Sequence, residues 1–325
     1  MATGSRILVT GGAGFIGSHL VDALLARGDE VVVLDNFSTG KHENLAQHAG
    51  NSAFELIEGD IRDFDLCRRA VAGCAGVFHE AALGSVPRSM ADPRLTLENN
   101  VQGFANVIEA ARRAGVRRFV YASSSSVYGD DPRQPKREEF IGKPLSPYAY
   151  SKRSDEETAA LYRGVFGFSS VGLRYFNVFG ARQDPEGAYA AVIPKFASAL
   201  IRRESPRING DGSFSRDFTY VANVVRANLL AFEAKDTGAS DRFYNIACGE
   251  RTTLNELFLL LRNELSVFDP AIASVEAVRG PERAGDIPHS LAAIDKAARE
   301  LGYRPECGVR EGLRLSARWY WETLR

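Results

Sequence analysis

Short apolar runs alternate, through the first half of the chain, with segments that keep only one face apolar. Ile7-Leu8-Val9 and Val31-Val32-Val33-Leu34 read as compact strands. Between them Phe15, Ile16, Leu20, Val21, Leu24 and Leu25 line one side of a helix, and Gly28 follows as its stop. Further strands are predicted at 53–57, 76–80, 119–122 and 170–174, with helices over 64–72, 93–114 and 147–166 between them. Asp92-Pro93 sets a capping side chain before a proline at the first helical position, a favourable start for the second of these. Strands separated by helices need crossover connections. This half therefore predicts an α/β fold, a doubly wound parallel sheet covered on both faces.

After Asn177 the texture changes. Loops lengthen at 180–188, 205–217 and 280–288, and helices over 191–203, 221–234 and 254–265 have only short strands between them. Thr253-x-x-Glu256 is a capping-box signature for the last helix. The expected division is a first lobe over 1–176 and a smaller C-terminal α/β lobe over 177–325 that closes on it, with some segments returning to the first.

Composition narrows the function classes. A length of 325 residues exceeds the usual single-core range of ~50–250, so one large or two modest domains are expected. Hydrophobic residues at 45% and charged residues at 25% exclude a disordered or fibrous chain. The balance of 40 Lys+Arg against 41 Asp+Glu leaves no basic footprint for nucleic acid and no acidic tail. Most of the basic residues are Arg; this is chiefly compositional, with a few arginines left over as candidate anion binders. Cys67, Cys74, Cys248 and Cys307 form no C-x-x-C pair and the histidines lie far from them, so no metal is expected. The densest apolar run, 257–261, is far short of the ~18 residues of a membrane span, and no signal-peptide core precedes the first strand. Reduced thiols in a soluble cytoplasmic protein are the expectation.

Two constellations carry chemistry. Gly11-Gly12-Ala13-Gly14-Phe15-Ile16-Gly17 follows a strand and opens a helix, where backbone approaches a pyrophosphate and the helix start supplies N–H groups and a positive dipole end. Asp35 ends the second strand, 18 residues beyond Gly17; a carboxylate there accepts from both ribose hydroxyls and repels a 2′-phosphate, selecting NAD over NADP. Asp60-Ile61, after the third strand, is placed to reach adenine, although Asp60 is equally placed to cap the next helix. Tyr148 and Lys152, four apart on a helix, share one face, and the run Ser123-Ser124-Ser125-Ser126 sits at the carboxyl edge of the sheet where ligands bind. An ammonium beside a phenol favours the phenolate and draws its pKa of ~10 toward working pH, which makes a general base for a hydroxyl.

The stretches GGAGFIG (11–17), LDNFSTG (34–40), GDIRD (59–63), HEAA (79–82), NNVQG (99–103), SSSSVYG (123–129), YAYSK (148–152), RYFNVFG (174–180) and SRDFTYV (215–221) resemble the extended short-chain dehydrogenases, and within them the nucleotide-sugar 4-epimerases. The likeness covers nearly the whole chain. AALGSVPRS (81–89), GKPLSPYAYSK (142–152) and GAYAAVIPKF (187–196) look particularly like bacterial UDP-N-acetylglucosamine 4-epimerases that also accept UDP-glucose. The resemblance implies a Rossmann first lobe holding NAD through Gly11, Gly14, Phe15, Ile16 and Gly17, then Asp35, Asn36, Ser38, Thr39 and Gly40. Asp60, Ile61, Ala81, Ala82, Asn99 and Tyr175 would complete that site with Tyr148 and Lys152. It implies Tyr148 as base, Lys152 as its partner and nicotinamide-ribose ligand, and Ser124 and Ser125 as sugar-hydroxyl contacts. Gly84, Ser85 and Val86 would face the sugar. Asn177, Ala191, Val192, Asn209, Arg216, Arg283 and Asp286 would hold the uridine diphosphate.

The implied reaction is C4 inversion of UDP-N-acetylglucosamine or UDP-glucose through a transient 4-keto sugar that swings about its diphosphate, which Arg216 and Arg283 would anchor. Polysaccharide biosynthesis would consume the product. Related dehydratases carry an acidic pair at the positions of Ser125 and Ser126, and decarboxylating relatives a Glu at Ser126; serines here leave no local acid for either. Ser290 stands where strict UDP-galactose epimerases carry Tyr, which leaves room for an N-acetyl group. A UDP-glucuronate 4-epimerase, with Arg88 for the C6 carboxylate, is the alternative; a protein that only binds dinucleotide and a reductase that releases its cofactor are weaker readings. The helices over 93–114 and 147–166 resemble those that pair in homodimers of the family, yet Phe104, Val107, Ile108 and Ala111 are equally suited to packing on the chain's own sheet.

Overall fold

The computed structural model describes residues 4–185, 191–235, 242–281 and 288–325. Its first half runs β1 (Arg6–Thr10), α1 (Phe15–Arg27), β2 (Glu30–Asp35), β3 (Phe54–Glu58), α2 (Phe64–Val71), β4 (Gly76–His79), α3 (Val86–Ala91), α4 (Pro93–Leu97), α5 (Gly103–Arg113), β5 (Arg118–Ser124), α6 (Pro147–Phe166) and β6 (Ser170–Tyr175). The second half contributes β7 (Val178–Phe179), α7 (Val192–Ile201), β8 (Arg207–Asn209), β9 (Ser215–Arg216), β10 (Thr219–Tyr220), α8 (Val221–Glu233) and β11 (Phe243–Ile246). It ends with β12 (Thr252–Thr253), α9 (Leu254–Ser266), β13 (Val278–Gly280), α10 (Asp295–Leu301) and α11 (Val309–Thr323).

Seven strands form one parallel sheet in the order β11-β6-β5-β4-β1-β2-β3. Val9 lies beside Val33 of β2 on one side and Phe78 of β4 on the other, which fixes the register around the central strand. The order reverses between β1 and β4, and a crevice opens there at the carboxyl ends of the strands. Alternation along each strand divides the core. Ile7, Val9, Val31, Val33 and Phe78 pack against α1 and α8, whereas Leu8, Val32, Leu34, Val77 and Phe119 pack against α2, α5 and α6. Both faces are covered, as the near-continuous apolar runs of the strands demand.

The helix expected over 93–114 is divided. Asp92 caps α4 by accepting from the Leu95 N–H at 2.9 Å with Pro93 in the first turn, but Glu98–Gln102 forms a π-helical turn before α5. The wider turn lets adjacent asparagines serve different neighbours: Asn99 lines the crevice, while Asn100 accepts from the Leu83 N–H at 2.8 Å and donates to Ser151 Oγ at 3.0 Å. Phe104, Val107, Ile108 and Ala111 are buried on the sheet, so that apolar face belongs to the chain's own core.

The expected boundary at 176 falls between β6 and β7. Beyond it, α7, α9 and α11 enclose a second core around Phe196, Leu257, Leu261, Leu313 and Tyr320. β11, by contrast, adds the seventh strand beside β6, and α8 packs on the first-lobe sheet. The Thr253–Glu256 capping box is present with both reciprocal bonds. α3 is too short to show a periodic pattern, and α10 and α11 are additions to the expected helices; Leu313, Ala317 and Tyr320, at spacings of four and three, are the signal in α11. All four cysteines are buried and free. Among the described residues no helix is long and apolar enough to cross a membrane, and no His/Cys/Asp/Glu group could hold a metal ion.

Candidate active site

The glycine loop lies at the end of β1. Gly11 has φ +70°, and a Cβ there would come within 2.6 Å of the Ala81 backbone; a Cβ on Gly17 would come within 2.1 Å of the Gly11 carbonyl oxygen. Only glycine lets the loop, the β4 edge and the helix start converge. Gly14 brings no side chain to cap α1, so the first-turn N–H groups open into a cavity of about 820 Å³ lined by Gly11, Gly14, Phe15, Ile16 and Gly17.

Asp35 closes one side of this cavity. Its Oδ2 accepts from the Ala13 N–H at 2.9 Å and its Oδ1 from the Phe37 N–H at 2.8 Å, so both oxygens are fixed with lone pairs remaining for a ligand. Burial raises its pKa, and these two N–H bonds oppose the rise. Asn36, Ser38, Thr39 and Ile61 continue the wall. Gly40 and Asp60 do not line it. A Cβ on Gly40 would come within 2.8 Å of Ala13 Cβ, which makes Gly40 a close-approach glycine behind the loop. Asp60 accepts from Asn36 Nδ2 at 2.8 Å and from Arg62 Nε and Nη2 at 3.0 and 2.7 Å, and Arg62 holds its pKa down to about 2. It does not cap α2: Asp63 does, accepting from the Leu66 N–H at 3.0 Å.

Ser146 caps α6 and accepts from the Ala149 N–H at 3.1 Å, with Pro147 following it. Tyr148 therefore stands in the first turn, and Lys152 one turn on, both lining the cavity. The Lys152 ammonium is buried and donates to the Ala122 carbonyl at 2.9 Å and to Asp155 Oδ2 at 3.2 Å. Burial alone would lower its pKa, but Asp155, Tyr148 and Glu80 together leave it raised.

The serine run serves several purposes. Ser123 Oγ donates to Glu156 Oε1 at 2.6 Å, inside the core. Ser124 Oγ accepts from the Ser126 N–H at 3.1 Å and lines the cavity with Ser125. Ser126 lines it too, and its buried Oγ has no protein partner among the described residues. Ala81, Ala82, Gly84, Ser85, Val86, Asn99 and Tyr175 complete this wall. Ser85, at φ 132°, caps α3 by accepting from the Arg88 N–H at 3.2 Å. Arg88 itself does not line the cavity.

Several cavity groups escaped the sequence reading. Glu80 is one: it accepts from the Tyr175 hydroxyl at 2.8 Å, and burial raises its pKa to about 7 against Tyr175 and Lys152. Its position inside HEAA, one residue past a strand end, was the available signal. Lys136 is another; its ammonium donates to the Asp131 carbonyl, and burial lowers its pKa. No periodic pattern marked its loop.

The second lobe closes the other end. Asn177, Arg216 and Ser290 line the first cavity, and Asn177 and Arg216 also line an adjoining one of about 550 Å³ with Ala191, Val192 and Asn209. Arg216 Nη1 donates to the Ser215 carbonyl at 2.9 Å and to that of Pro288 at 3.3 Å, and Ser290 donates its N–H to the Ser215 carbonyl at 3.1 Å. Arg283 and Asp286 lie outside the described residues.

A family model described as "NAD dependent epimerase/dehydratase family" matches residues 7–247. The putative UDP-glucose 4-epimerase of Methanocaldococcus jannaschii is 38% identical over 315 residues, 96% of this chain and 97% of that protein. The structure of the UDP-N-acetylglucosamine 4-epimerase of Methanobrevibacter ruminantium in complex with UDP-N-acetylmuramic acid matches with a TM-score of 0.91 at 38% identity, covering 98% of this chain and 99% of that one. The UDP-glucose 4-epimerase of Thermus thermophilus in complex with NAD matches with a TM-score of 0.85 at 36% identity, covering 98% and 99%.

Proposed function

The chain belongs to the NAD dependent epimerase/dehydratase family, and we propose that it reversibly inverts C4 of UDP-N-acetylglucosamine and UDP-N-acetylgalactosamine, and of UDP-glucose and UDP-galactose. The family together with its UDP-sugar 4-epimerase relatives gives enzyme class and cofactor: it is an NAD-dependent nucleotide-sugar 4-epimerase. The observation that carries the reading is one continuous cavity. It runs from a glycine loop and Asp35, past Tyr148, Lys152 and the serine run, to Arg216 and Ser290.

The residues present fit NAD. The loop that only glycine allows receives the pyrophosphate, and the oriented Asp35 carboxylate receives the ribose hydroxyls. NAD held there would supply the hydride acceptor and donor for C4 of the sugar. The protein handles the proton. Tyr148 takes it from the sugar 4-hydroxyl and gives it back after the 4-keto sugar has turned over, and the Lys152 ammonium one turn away favours the phenolate between those events. Ser124 Oγ, already accepting from the Ser126 N–H, is left with its own proton to donate to a sugar oxygen, and Ser125 and Ser126 offer further hydroxyls. Arg216, positioned by two carbonyls, suits the diphosphate about which the sugar swings, with Arg283 as its expected companion. Ser290 keeps the mouth wide enough for an N-acetyl group. In this reading residues 1–176 hold NAD and 177–325 hold the UDP-sugar, with β11 and α8 returning to the first lobe.

A homodimer through α6 belongs to the same proposal. Tyr150, Leu161 and Val165 of that helix are 54%, 58% and 62% exposed, and Tyr150 and Leu161 are close to three full turns apart. Light scattering on the purified protein tests it.

Incubation with UDP-N-acetylglucosamine, UDP-glucose and UDP-glucuronate separately, without added NAD, tests the substrate assignment by proton NMR. The first two are expected to invert at C4. Inversion of UDP-glucuronate alone would replace the reading with its alternative; Arg88, the residue expected to meet the C6 carboxylate, does not itself line the cavity.

A further inference from the structure

Tyr148, Lys152 and Asp155 lie on one stripe of α6, at spacings of four and three, with Lys152 the middle residue. Lys152 and Asp155 are 2% and 1% exposed, and the Nζ–Oδ2 separation is 3.2 Å. The other carboxylate oxygen, Asp155 Oδ1, is buried without a hydrogen-bond partner among the described residues. The lysine expected to act on the phenol is thus shared with a buried acid on its far side, for which the mechanism above has no use.

Neighbouring elements leave Asp155 to Lys152. On α6, Glu156 is taken by Arg174 of β6 and by Ser123 of β5. From β5, Tyr121 stays a neutral phenol, burial raising its pKa far above the ordinary value. At the end of β4, His79 is held to Thr10 at 2.8 Å and stays neutral because burial lowers its pKa to about 3; Glu80 beyond it is held by Tyr175 of β6. From the helices packed on α6, Arg94 engages Glu98, while Arg112 and Arg113 engage Glu109; Arg88 of α3 is the remaining cation on that side. Burial first, with Glu156 adding to it, pushes the Asp155 pKa up to about 7 against the pull of Lys152.

We propose that Asp155 is a positioning residue that holds the Lys152 ammonium and takes up part of the charge the ammonium would otherwise lend to Tyr148. This rests on Tyr148 being the base. Ionised, Asp155 cancels part of the charge that favours the phenolate; protonated, it leaves the whole charge to Tyr148. Tyr148, Asp155 and Glu80 all draw on one ammonium, so their ionisations spread apart and the acid limb of activity is shallower than a single-proton titration.

The test uses the NAD-loaded full-length protein and its Asp155→Asn variant, with Tyr148→Phe as reference. Two readouts are followed against pH: kcat for UDP-N-acetylglucosamine, and phenolate absorbance after subtraction of the Tyr148→Phe signal. In Asp155→Asn both transitions are expected to sharpen, with Glu80 still coupled to the ammonium, and to move about one pH unit lower, with KM little changed. Asp155→Glu is expected to bring both back toward wild type, and Asp155→Ser replaces Asn if the latter does not fold with NAD bound. Transitions that keep the wild-type position and steepness in a folded variant, while Tyr148→Phe is inactive, overturn this proposal alone. A Tyr148→Phe variant of near-normal kcat overturns the base assignment and this proposal with it.

Discussion

Arg174 and Glu156 form a two-point ion pair in the core, Nε to Oε1 and Nη2 to Oε2, each at 2.8 Å. Ser123 donates to the same Oε1 at 2.6 Å, and Arg174 Nη1 reaches the Tyr128 hydroxyl at 3.1 Å. The pair ties β6 to α6 and, through Ser123, to β5, the elements that present Tyr148, Lys152 and the serine run. Removing one partner leaves a buried charge, so Arg174→Met is expected to cost about 3–5 kcal/mol of stability, read as a lower denaturation midpoint. The double replacement Arg174→Met with Glu156→Leu is expected to recover much of that loss. A single variant as stable as wild type would show that the pair is not structural.

Tyr148→Phe removes the phenol and leaves the glycine loop and Asp35 untouched. Loss of a positioned general base is expected to lower kcat by ~10²–10⁴-fold with NAD still bound. Activity assays on the variant, with NAD released by denaturation as the binding check, decide it. Near-normal kcat would take Tyr148 out of the base role.

Asp35→Ala deletes an acceptor that faces two backbone N–H groups and, in the proposal, the ribose hydroxyls. Each charge-assisted hydrogen bond contributes ~1.5–3 kcal/mol, so NAD affinity is expected to fall at least tenfold and discrimination against NADP to relax. Calorimetric titration of the nucleotide-stripped protein measures both. Unchanged preference for NAD would assign that selectivity elsewhere.

Ser290→Tyr places a phenol at the cavity mouth beside Arg216. Turnover of UDP-N-acetylglucosamine is expected to disappear while some on UDP-glucose survives. Unchanged N-acetyl turnover would reject the gate.

The sheet was legible because its inner strands β1, β2 and β4 are buried on both faces and read as apolar runs, and the glycine loop because close backbone contact admits no other residue. The strand β11 was not, since a four-residue edge strand after the lobe change has no periodic signature. The π turn at Glu98–Gln102 was hidden because helical periodicity tolerates one extra residue. In the site, Tyr148 and Lys152 stood out by spacing, and Asp35 by its place at a strand end. Glu80, Lys136 and Asp155 did not, because a buried ionisable residue looks like a surface one until its partners are known. Asp60, expected at the adenine, already accepts from Arg62 and Asn36.

The central claim is that hydride leaves C4 and returns to C4 of one substrate without reaching solvent. Epimerisation of UDP-N-acetylglucosamine deuterated at C4, in ordinary water and without added NAD, tests it most directly. The account predicts inverted product that keeps its deuterium. Inverted product with the label lost to water, or absence of inversion by the NAD-loaded protein, would contradict it.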